Sequence, residues 1–362
     1  MTKKYLLPDN ALILSNGVDE IRIRKGIWNY EEAVVTLSNE VEEVRALLLN
    51  LFAKLGQKEE VDFKEAMEEA NLQEMDQENI SSMLLGLEMQ YYLVDAQKSV
   101  TTQVLNDLIH GSLESMGLPN TMYLKPVLFY SDNAFVNEEA QRLAEFMELP
   151  LHKMTDEEYE MIANADTMTR FDGLETVEDV SKIQKFLEPY ACVVVGLGRL
   201  HAQFMRNLNR GLLEAQKPLV CALLDGPFTS LFTINPPETG CFECMEHRIL
   251  ARIEERPAYQ RFVEHISKNP MKNEKPYNTP LLASICSMAL FESLSISAVG
   301  KSKFAGRALN TYLPVMEMQV QDILRVPFCP ACGTIAKAEI KEMYTSTKAI
   351  MDNVLENIEL DD

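Results

Sequence analysis

The pattern of apolar and polar positions near the N-terminus predicts three short strands. Residues 11–15 form an apolar run before Asn16-Gly17, a dipeptide that favours a two-residue hairpin turn. Residues 21–24 alternate between apolar and basic side chains with period two, as a half-buried strand does. A third run, rich in β-branched side chains, covers residues 33–37. We therefore expect a small sheet at this end of the chain.

Helical periodicity follows the third strand and predicts three helices. Ser38 or Asn39 is expected to cap the first, which carries apolar side chains at helical spacing and ends near Gly56. Further helices are expected over residues 63–70 and 78–89, with residues 91–94 as a short wing. Three strands and three helices in this order indicate a winged-helix unit over residues 1–95.

Strands and helices alternate through residues 123–340, which is typical of an α/β domain. The expected strands are 126–130, 149–154, 191–195 and 219–224, and the expected helices are 137–148 and 200–214. Their order predicts a doubly wound, mostly parallel sheet. Residues 96–122 are expected to form a linker with a helix over 100–116, and residues 341–362 a C-terminal helix or tail.

Composition and charge exclude two classes of partner. The chain has 362 residues and a formal net charge of −21, whereas affinity for nucleic acid is built from clustered Lys and Arg. The apolar runs that stand out are of strand length, and no secretory signal begins the sequence. We expect a cytoplasmic protein that binds neither nucleic acid nor a membrane.

Two C-x-x-C pairs, Cys241-Phe-Glu-Cys244 and Cys329-Pro-Ala-Cys332, have the spacing with which two thiolates hold one tetrahedral ion. They predict one zinc site that joins distant segments of the chain. A closed set of four cysteines leaves no coordination position for water, so the zinc is expected to be structural. Disulfides, a redox-active pair and ordinary buried thiols are the alternatives, and disulfides are disfavoured in the cytoplasm.

The other three cysteines, Cys192, Cys221 and Cys286, lie in apolar patterns and are expected in the core, with a thioester-forming nucleophile among them as the less favoured reading. The turn Gly196-Leu197-Gly198 begins like a dinucleotide-binding motif but has His201 where its third glycine belongs. The first βα turn, residues 129–135, contains no glycine. We expect no ATP site and no catalytic residue in this chain.

Residues 218–248, PLVCALLDGPFTSLFTINPPETGCFECMEHR, resemble the crossover-loop segment of ThiF-like, ubiquitin-activating-type domains. In that family a second C-P-x-C-G knuckle, here at Cys329–Gly333, completes a structural zinc site. The segments RKGIWNYEEAVVTLS (24–38), RNLNRGLLEAQKPLV (206–220), LDGPF (224–228) and SKFAGRALNTYLPVMEMQVQDILR (302–325) more closely resemble the ThiF-like C proteins of azole-forming peptide maturation, of the streptolysin S type.

This resemblance implies a role in the biosynthesis of ribosomally made bacteriocins or cytolysins of the thiazole/oxazole-modified class. In that family the winged helix is a peptide-recognition element for the leader of a precursor peptide. The ThiF-like body serves a separate, ATP-dependent YcaO-type cyclodehydratase, which forms azolines from Cys, Ser or Thr of the core peptide, and a flavin-dependent oxidase follows. A homodimer is also compatible with the resemblance.

The leader is expected to add as a strand beside residues 33–37 and to pack against the third helix, since edge pairing supplies main-chain hydrogen bonds. The expected leader-binding residues are Ala33, Val34, Val35, Thr36, Leu37, Ile80, Met83, Leu84 and Leu87. Core packing is an equally weighted reading for each of the four helix residues. A proline at Val35 should weaken binding, and Arg22, Arg24 and Lys25 either steer an acidic leader or form a solvated strand face.

Two rival functions follow from the same sequence. One is an adenylating ThiF-like enzyme that uses ATP to activate a peptide C-terminus. The other is a winged-helix transcription regulator, which the acidic residues around the second and third helices disfavour.

Overall fold

A computed structural model describes residues 3–97, 99–109, 111, 113, 123–168, 173–268 and 276–333. The chain divides into two compact units, residues 1–122 and 123–362. The predicted C-terminal helix or tail, residues 341–362, and residues 114–122 of the predicted linker lie outside the described residues.

The first unit contains a three-stranded antiparallel sheet in the order β2-β3-β4 and a separate two-stranded pair, β1 with β5. Its elements in chain order are β1 (Tyr5–Leu6), β2 (Ala11–Asn16), β3 (Glu20–Lys25), β4 (Glu31–Thr36), α1 (Glu42–Gly56), α2 (Phe63–Glu69), α3 (Glu74–Met89), β5 (Val94–Asp95) and α4 (Val100–Ile109). Apolar side chains from the sheet and from α1, α2 and α3 share one core. The three predicted strands and three predicted helices are all present.

Local details of this unit differ from the prediction. The β2–β3 hairpin pairs Asn16 with Glu20, so its loop has three residues rather than two, and Gly17 adopts a φ of +69°, which glycine takes without steric cost. The first helix begins at Glu42 without a side-chain cap from Ser38 or Asn39. Instead the guanidinium of Arg45 donates to carbonyl groups just before the helix.

The second unit is built around a seven-stranded sheet in the order β12-β11-β10-β9-β8-β6-β7. Its strands are β6 (Val127–Ser131), β7 (Leu151–Lys153), β8 (Val193–Leu197), β9 (Leu219–Asp225), β10 (Phe228–Ile234), β11 (Arg307–Tyr312) and β12 (Glu317–Asp322). Its helices are α5 (Ala134–Phe146), α6 (Asp156–Ala163), α7 (Gly173–Leu187), α8 (Ala202–Ala215), α9 (Phe242–Leu250), α10 (Arg256–Lys268) and α11 (Thr279–Val299). Helices cover both faces of the sheet.

The sheet is mixed. The four strands from β7 to β9 are parallel, as predicted, but β10, β11 and β12 continue the sheet with antiparallel pairing. The change occurs at Gly226-Pro227, where Asp225 pairs with Phe228 and the chain reverses directly. Gly226 adopts φ +56°, which a tight reversal of this kind favours. A two-residue loop leaves no room for a crossover helix, so the next strand must be antiparallel.

Helix α11 is the one helix of the described residues that is long and apolar enough to cross a membrane by length and composition. Half of its most apolar stretch is buried inside the second unit, where it packs against β8, β9, β10 and α5. Packing of this extent is typical of a core helix. The prediction from the sequence overlooked this helix because serines such as Ser287 and Ser293 interrupt its apolar run.

Candidate functional sites

The two predicted cysteine pairs meet in the second unit. Cys241 immediately precedes α9 and Cys244 lies in its first turn, while Cys329 and Cys332 lie in the segment after β12. The Sγ–Sγ distances are 3.8 Å for Cys241–Cys244, 3.6 Å for Cys241–Cys329 and 3.3 Å for Cys244–Cys332. All four sulfur atoms lie within 4.8 Å of one another.

These distances fit a metal site. Four sulfurs at about 2.3 Å from a tetrahedral ion are separated by about 3.8 Å, whereas a disulfide needs about 2.05 Å. The sulfur atoms of Cys241, Cys244 and Cys329 are buried among apolar neighbours, and Cys332 lies at the edge. The four cysteines can therefore hold one metal ion.

Hydrogen bonds between α9 and α8 position the first cysteine pair, Cys241 and Cys244. Glu243 and Glu246 of α9 form bidentate pairs with Arg210 and Arg206 of α8, at N–O distances of 2.8 to 3.3 Å. The Phe242 N–H donates to the side-chain carbonyl of Asn209 at 3.0 Å. Sequence reasoning missed these carboxylates, although their place within the motif C-F-E-C-M-E was the available signal.

The pKa of the Cys244 thiol is lowered, first by its hydrogen bond with Cys241 and also by the N–H of Val326, which donates to Sγ at 3.3 Å. Burial raises the pKa of the three cysteines outside the cluster, that of Cys286 to about 12 and those of Cys192 and Cys221 as well. A thiol that is buried and remains protonated is a poor nucleophile, so the thioester reading finds no support here.

The two βα turns at the carboxyl ends of β6 and β8 lie side by side, at the point where the strand order of the sheet reverses. Ligands of doubly wound sheets bind at this point. Strand β8 extends through Gly196 and Leu197, so the turn begins at Gly198 and not at Gly196 as predicted. A Cβ at Gly196 would collide with Cys286 Sγ of α11. The close packing of α11 against β8 therefore explains why residue 196 is a glycine.

At these two turns, side chains of the protein accept hydrogen bonds from the backbone N–H groups. The carboxylate of Asp132 accepts hydrogen bonds from the N–H groups of Gly198 at 2.8 Å and Arg199 at 3.1 Å. The side-chain oxygen of Asn133 accepts from the first N–H groups of α5. Desolvation raises the pKa of Asp132, and the two hydrogen bonds act against that rise. The donors that would face a phosphate are thus satisfied internally.

A groove of about 490 Å³ lies in the first unit between β4 and α3. Eight of the nine predicted leader-binding residues line it: Ala33, Val34, Val35, Thr36, Leu37, Ile80, Met83 and Leu87. Leu84 does not line it and belongs to the core. Ile80 and Leu87 are also nearly buried in that core, so they form the floor of the groove and part of the core at once.

Strand β4 is the edge of its sheet and pairs with β3 alone among the described strands, so its outward backbone groups have no strand partner there. The Leu37 N–H donates to the Asp19 carbonyl at 2.7 Å. Because antiparallel pairing alternates along a strand, Val35 also points its N–H towards β3, whereas the N–H groups of Val34 and Thr36 point away from it. The expectation that a proline at Val35 would remove an edge donor is therefore wrong, and Val34 is the residue to change.

The predicted basic cluster is neutralised by neighbouring carboxylates. Arg22 pairs with Glu20 at 3.0 Å and with Glu32 at 3.4 Å, and Arg24 pairs with Glu32 at 3.1 Å. Lys25 is buried and donates to the Gln90 carbonyl at 3.1 Å. These contacts favour a strand face on which the basic side chains are already paired over a basic patch that attracts an acidic leader.

No protein family model matches the chain, and no curated protein matches it. Among solved structures, the heterocyclase TruD is similar over 91% of this chain and 43% of its own, with 15% identity and a TM-score of 0.59. A heterocyclase in complex with substrate and cofactor is similar over 92% and 40%, with 14% identity and a TM-score of 0.58.

MccB of E. coli, solved with selenomethionine-containing MccA, is similar over 91% of this chain and 100% of its own, with 12% identity and a TM-score of 0.50. The chain spans about two fifths of the length of the two heterocyclase chains. At these identities the similarity shows the fold. Over 91% of its length this chain is similar in fold to TruD and to MccB, so the comparisons support the predicted resemblance at the level of the fold.

Proposed function

We propose that this protein is a non-catalytic subunit that binds the leader of a ribosomally made precursor peptide and activates an azoline-forming cyclodehydratase. The observation that carries the proposal is the groove between the edge strand β4 and helix α3. A peptide strand paired with β4 would satisfy the outward N–H groups of Val34 and Thr36. Its side chains would alternate towards Ile80, Met83 and Leu87, so that main-chain pairing supplies affinity and the groove supplies selectivity.

The similarity to a heterocyclase supports the reaction class to which the subunit contributes. The ATP-dependent YcaO-type cyclodehydratase, which the sequence resemblance implies, is proposed as a separate partner. That partner would convert Cys, Ser or Thr of the core peptide to azolines, and a flavin-dependent oxidase in the same complex would complete the azoles. The work would take place in the cytoplasm, and a homodimer is part of the same proposal.

The metal is proposed to be zinc with a structural role. Zinc prefers four thiolates in tetrahedral geometry, and a closed set of four offers no site for substrate or water. It would hold α9 to the segment after β12, which are distant in sequence. The winged-helix reading of the first unit belongs to the same proposal, as does the division into residues 1–95, 96–122 and 123–340.

The competing proposal is an adenylating enzyme. It requires backbone donors for the phosphates of ATP, and Asp132 and Asn133 already occupy those at the switch point. ATP-dependent exchange of pyrophosphate by the purified chain would favour this rival; its absence is what we expect.

Peptide binding is tested with a display library of random short peptides selected on the full-length chain. The affinity of the enriched peptides is then measured by fluorescence polarisation for Val34→Pro and for Ser15→Pro. Both prolines remove an N–H that points away from β3, but Ser15 lies on the opposite edge strand, β2. We expect Val34→Pro to bind roughly tenfold more weakly, the loss of about one main-chain hydrogen bond.

Ser15→Pro should bind as the unaltered chain does, and circular dichroism should show both variants folded. Failure to enrich any peptide, or equal affinity of Val34→Pro and the unaltered chain, would remove the basis of the proposed function.

A further inference from the structure

The single glycine of helix α3, Gly86, has no internal explanation. A glycine in the middle of a helix is less stable than an alanine there, so its presence normally reflects a close neighbour or an unusual backbone angle. Gly211, for comparison, lies where a Cβ would collide with Ile183 of the packed helix α7. At Gly86 a Cβ would meet no heavy atom of the described chain within 4 Å, and its φ is not positive.

The open space above Gly86 belongs to the groove between β4 and α3. Gly86 lines that groove on the same helix face as Met83, Leu87 and Gln90. Because side chains three and four residues apart stand next to one another on a helix, the missing side chain leaves a notch between Met83 and Gln90. The notch faces the open edge of β4 across the groove.

We propose that Gly86 is a specificity-determining residue, and that the notch above it accepts one bulky apolar side chain of the bound peptide strand. The proposal rests on the proposed function, since it requires a strand added to β4. Such a strand points every second side chain towards α3. The groove is lined by polar side chains such as Asn79 and Gln90 as well as by apolar ones. The residues next to the notch include the apolar Met83 and Leu87, so an apolar side chain of the peptide gains by burial against them.

The notch is tested by adding a large side chain to the protein at residue 86 and a smaller one to the peptide at the matching position. Random short peptides are selected by display on the full-length chain and, in parallel, on Gly86→Leu. The unaltered chain should enrich peptides with a large apolar residue at one fixed position. Gly86→Leu should enrich the same pattern with Gly, Ala or Ser at that position. Peptides from the first selection should bind Gly86→Leu roughly tenfold or more weakly, and their trimmed forms should regain affinity.

Two further variants separate binding from folding. Gly86→Ala should raise the melting temperature by about 2–4 °C, because the helix gains an alanine without a clash. Ser81→Leu adds the same side chain as Gly86→Leu at an exposed position on the opposite face of α3, outside the groove, and peptide affinity should not change.

Identical enriched residues in both selections, or undiminished affinity of the first peptides for Gly86→Leu, would contradict the proposed role of Gly86. If those peptides nevertheless bound Val34→Pro more weakly than the unaltered chain, the proposed function would stand and only the role of Gly86 would be rejected. Peptides insensitive to both variants would bind elsewhere and would contradict both proposals.

Discussion

The carboxylate of Asp132 accepts a hydrogen bond of 2.8 Å from the backbone N–H of Gly198, across the point where the strand order of the sheet reverses. A second bond from Arg199 N–H completes the contact. Asp132 follows β6 and Gly198 follows β8, so the contact ties together two turns that are distant in sequence. A carboxylate of the protein thus occupies donors of the kind that bind phosphate in related architectures.

Removing this carboxylate should destabilise the second unit. We expect Asp132→Ala to lower the free energy of unfolding by about 1–2 kcal/mol, since two N–H groups lose a charged acceptor. Asp132→Asn keeps one acceptor oxygen and should lose less. Urea unfolding followed by circular dichroism measures both.

The same variant allows a rescue experiment. Formate can enter the space that Asp132→Ala leaves, so it should raise the melting temperature of this variant more than that of the unaltered chain at equal ionic strength. An equal response of the two proteins to formate, with chloride as the control salt, would show that the donors do not form an anion site.

Features encoded in local sequence were predictable, and contacts between distant turns were not. The cluster of four cysteines that can hold a metal ion was predictable from the spacing within Cys241–Cys244 and Cys329–Cys332, because each pair carries its geometry in four residues. The Asp132 contact had no such signal, since its partners lie in the next turn of the sheet. The start of α5 at Ala134 was also missed, although Asn133 is a common capping residue.

The antiparallel half of the second sheet escaped prediction for a different reason. All six residues of β12 are exposed, so burial imposes no alternation of apolar and polar side chains on it. Its place in the sheet depends on pairing with β11, which sequence periodicity does not report. In the first unit α1 starts at Glu42 without a side-chain cap, and Arg45 donates to carbonyl groups of the preceding residues, a contact that has no sequence signature.

Loss of the metal should damage the second unit and spare the first. We expect one zinc ion per chain by inductively coupled plasma mass spectrometry, and less in Cys329→Ser. Chelation should lower the melting temperature of the second unit by roughly 10 °C, because the ion joins segments that are far apart in the chain. Hydrogen exchange measured on peptides from each unit assigns the loss.

Cys286→Ala is the matched control, because Cys286 is buried in α11 and is not among the four clustered cysteines. It should retain a full complement of metal. Unchanged exchange of α9 after complete removal of the metal would contradict a structural role for the site.

Neutralising the arginines of β3 should change peptide association little. Arg22 and Arg24 already pair with Glu20 and Glu32, and the Arg24 guanidinium also lies 4.0 Å from the centre of the Tyr30 ring. We therefore expect salt to slow peptide association by a factor that differs by no more than about twofold between the unaltered chain and either Arg22→Gln or Arg24→Gln. Stopped-flow fluorescence with the display-selected peptides measures it, and a much shallower salt dependence in either variant would restore the steering role.

Acidification should destabilise the second unit through His201. Burial lowers the pKa of this imidazole from its ordinary value of 6.5, its Nδ1 lies 2.9 Å from the Tyr159 hydroxyl, and its buried Nε2 has no partner among the described residues. Below pH 6.5 the imidazole binds a proton in the unfolded chain more readily than in the folded one. The free energy of unfolding is therefore unaffected by this group above pH 6.5 and decreases as the pH falls from 6.5 towards the folded pKa. The decline from this one group is at most about 1.4 kcal/mol per pH unit.

His201→Phe keeps a planar ring beside Phe204 and removes the titration. Urea midpoints measured from about pH 8 to about pH 5.5 should therefore decline less in the variant than in the unaltered chain. Because other groups titrate in the same range, the informative quantity is the difference between the two curves, which should be flat above pH 6.5 and slope below it. Parallel curves across the whole range would mean that the folded unit admits the proton as readily as the unfolded chain, and the buried imidazole would then have to be solvated in solution.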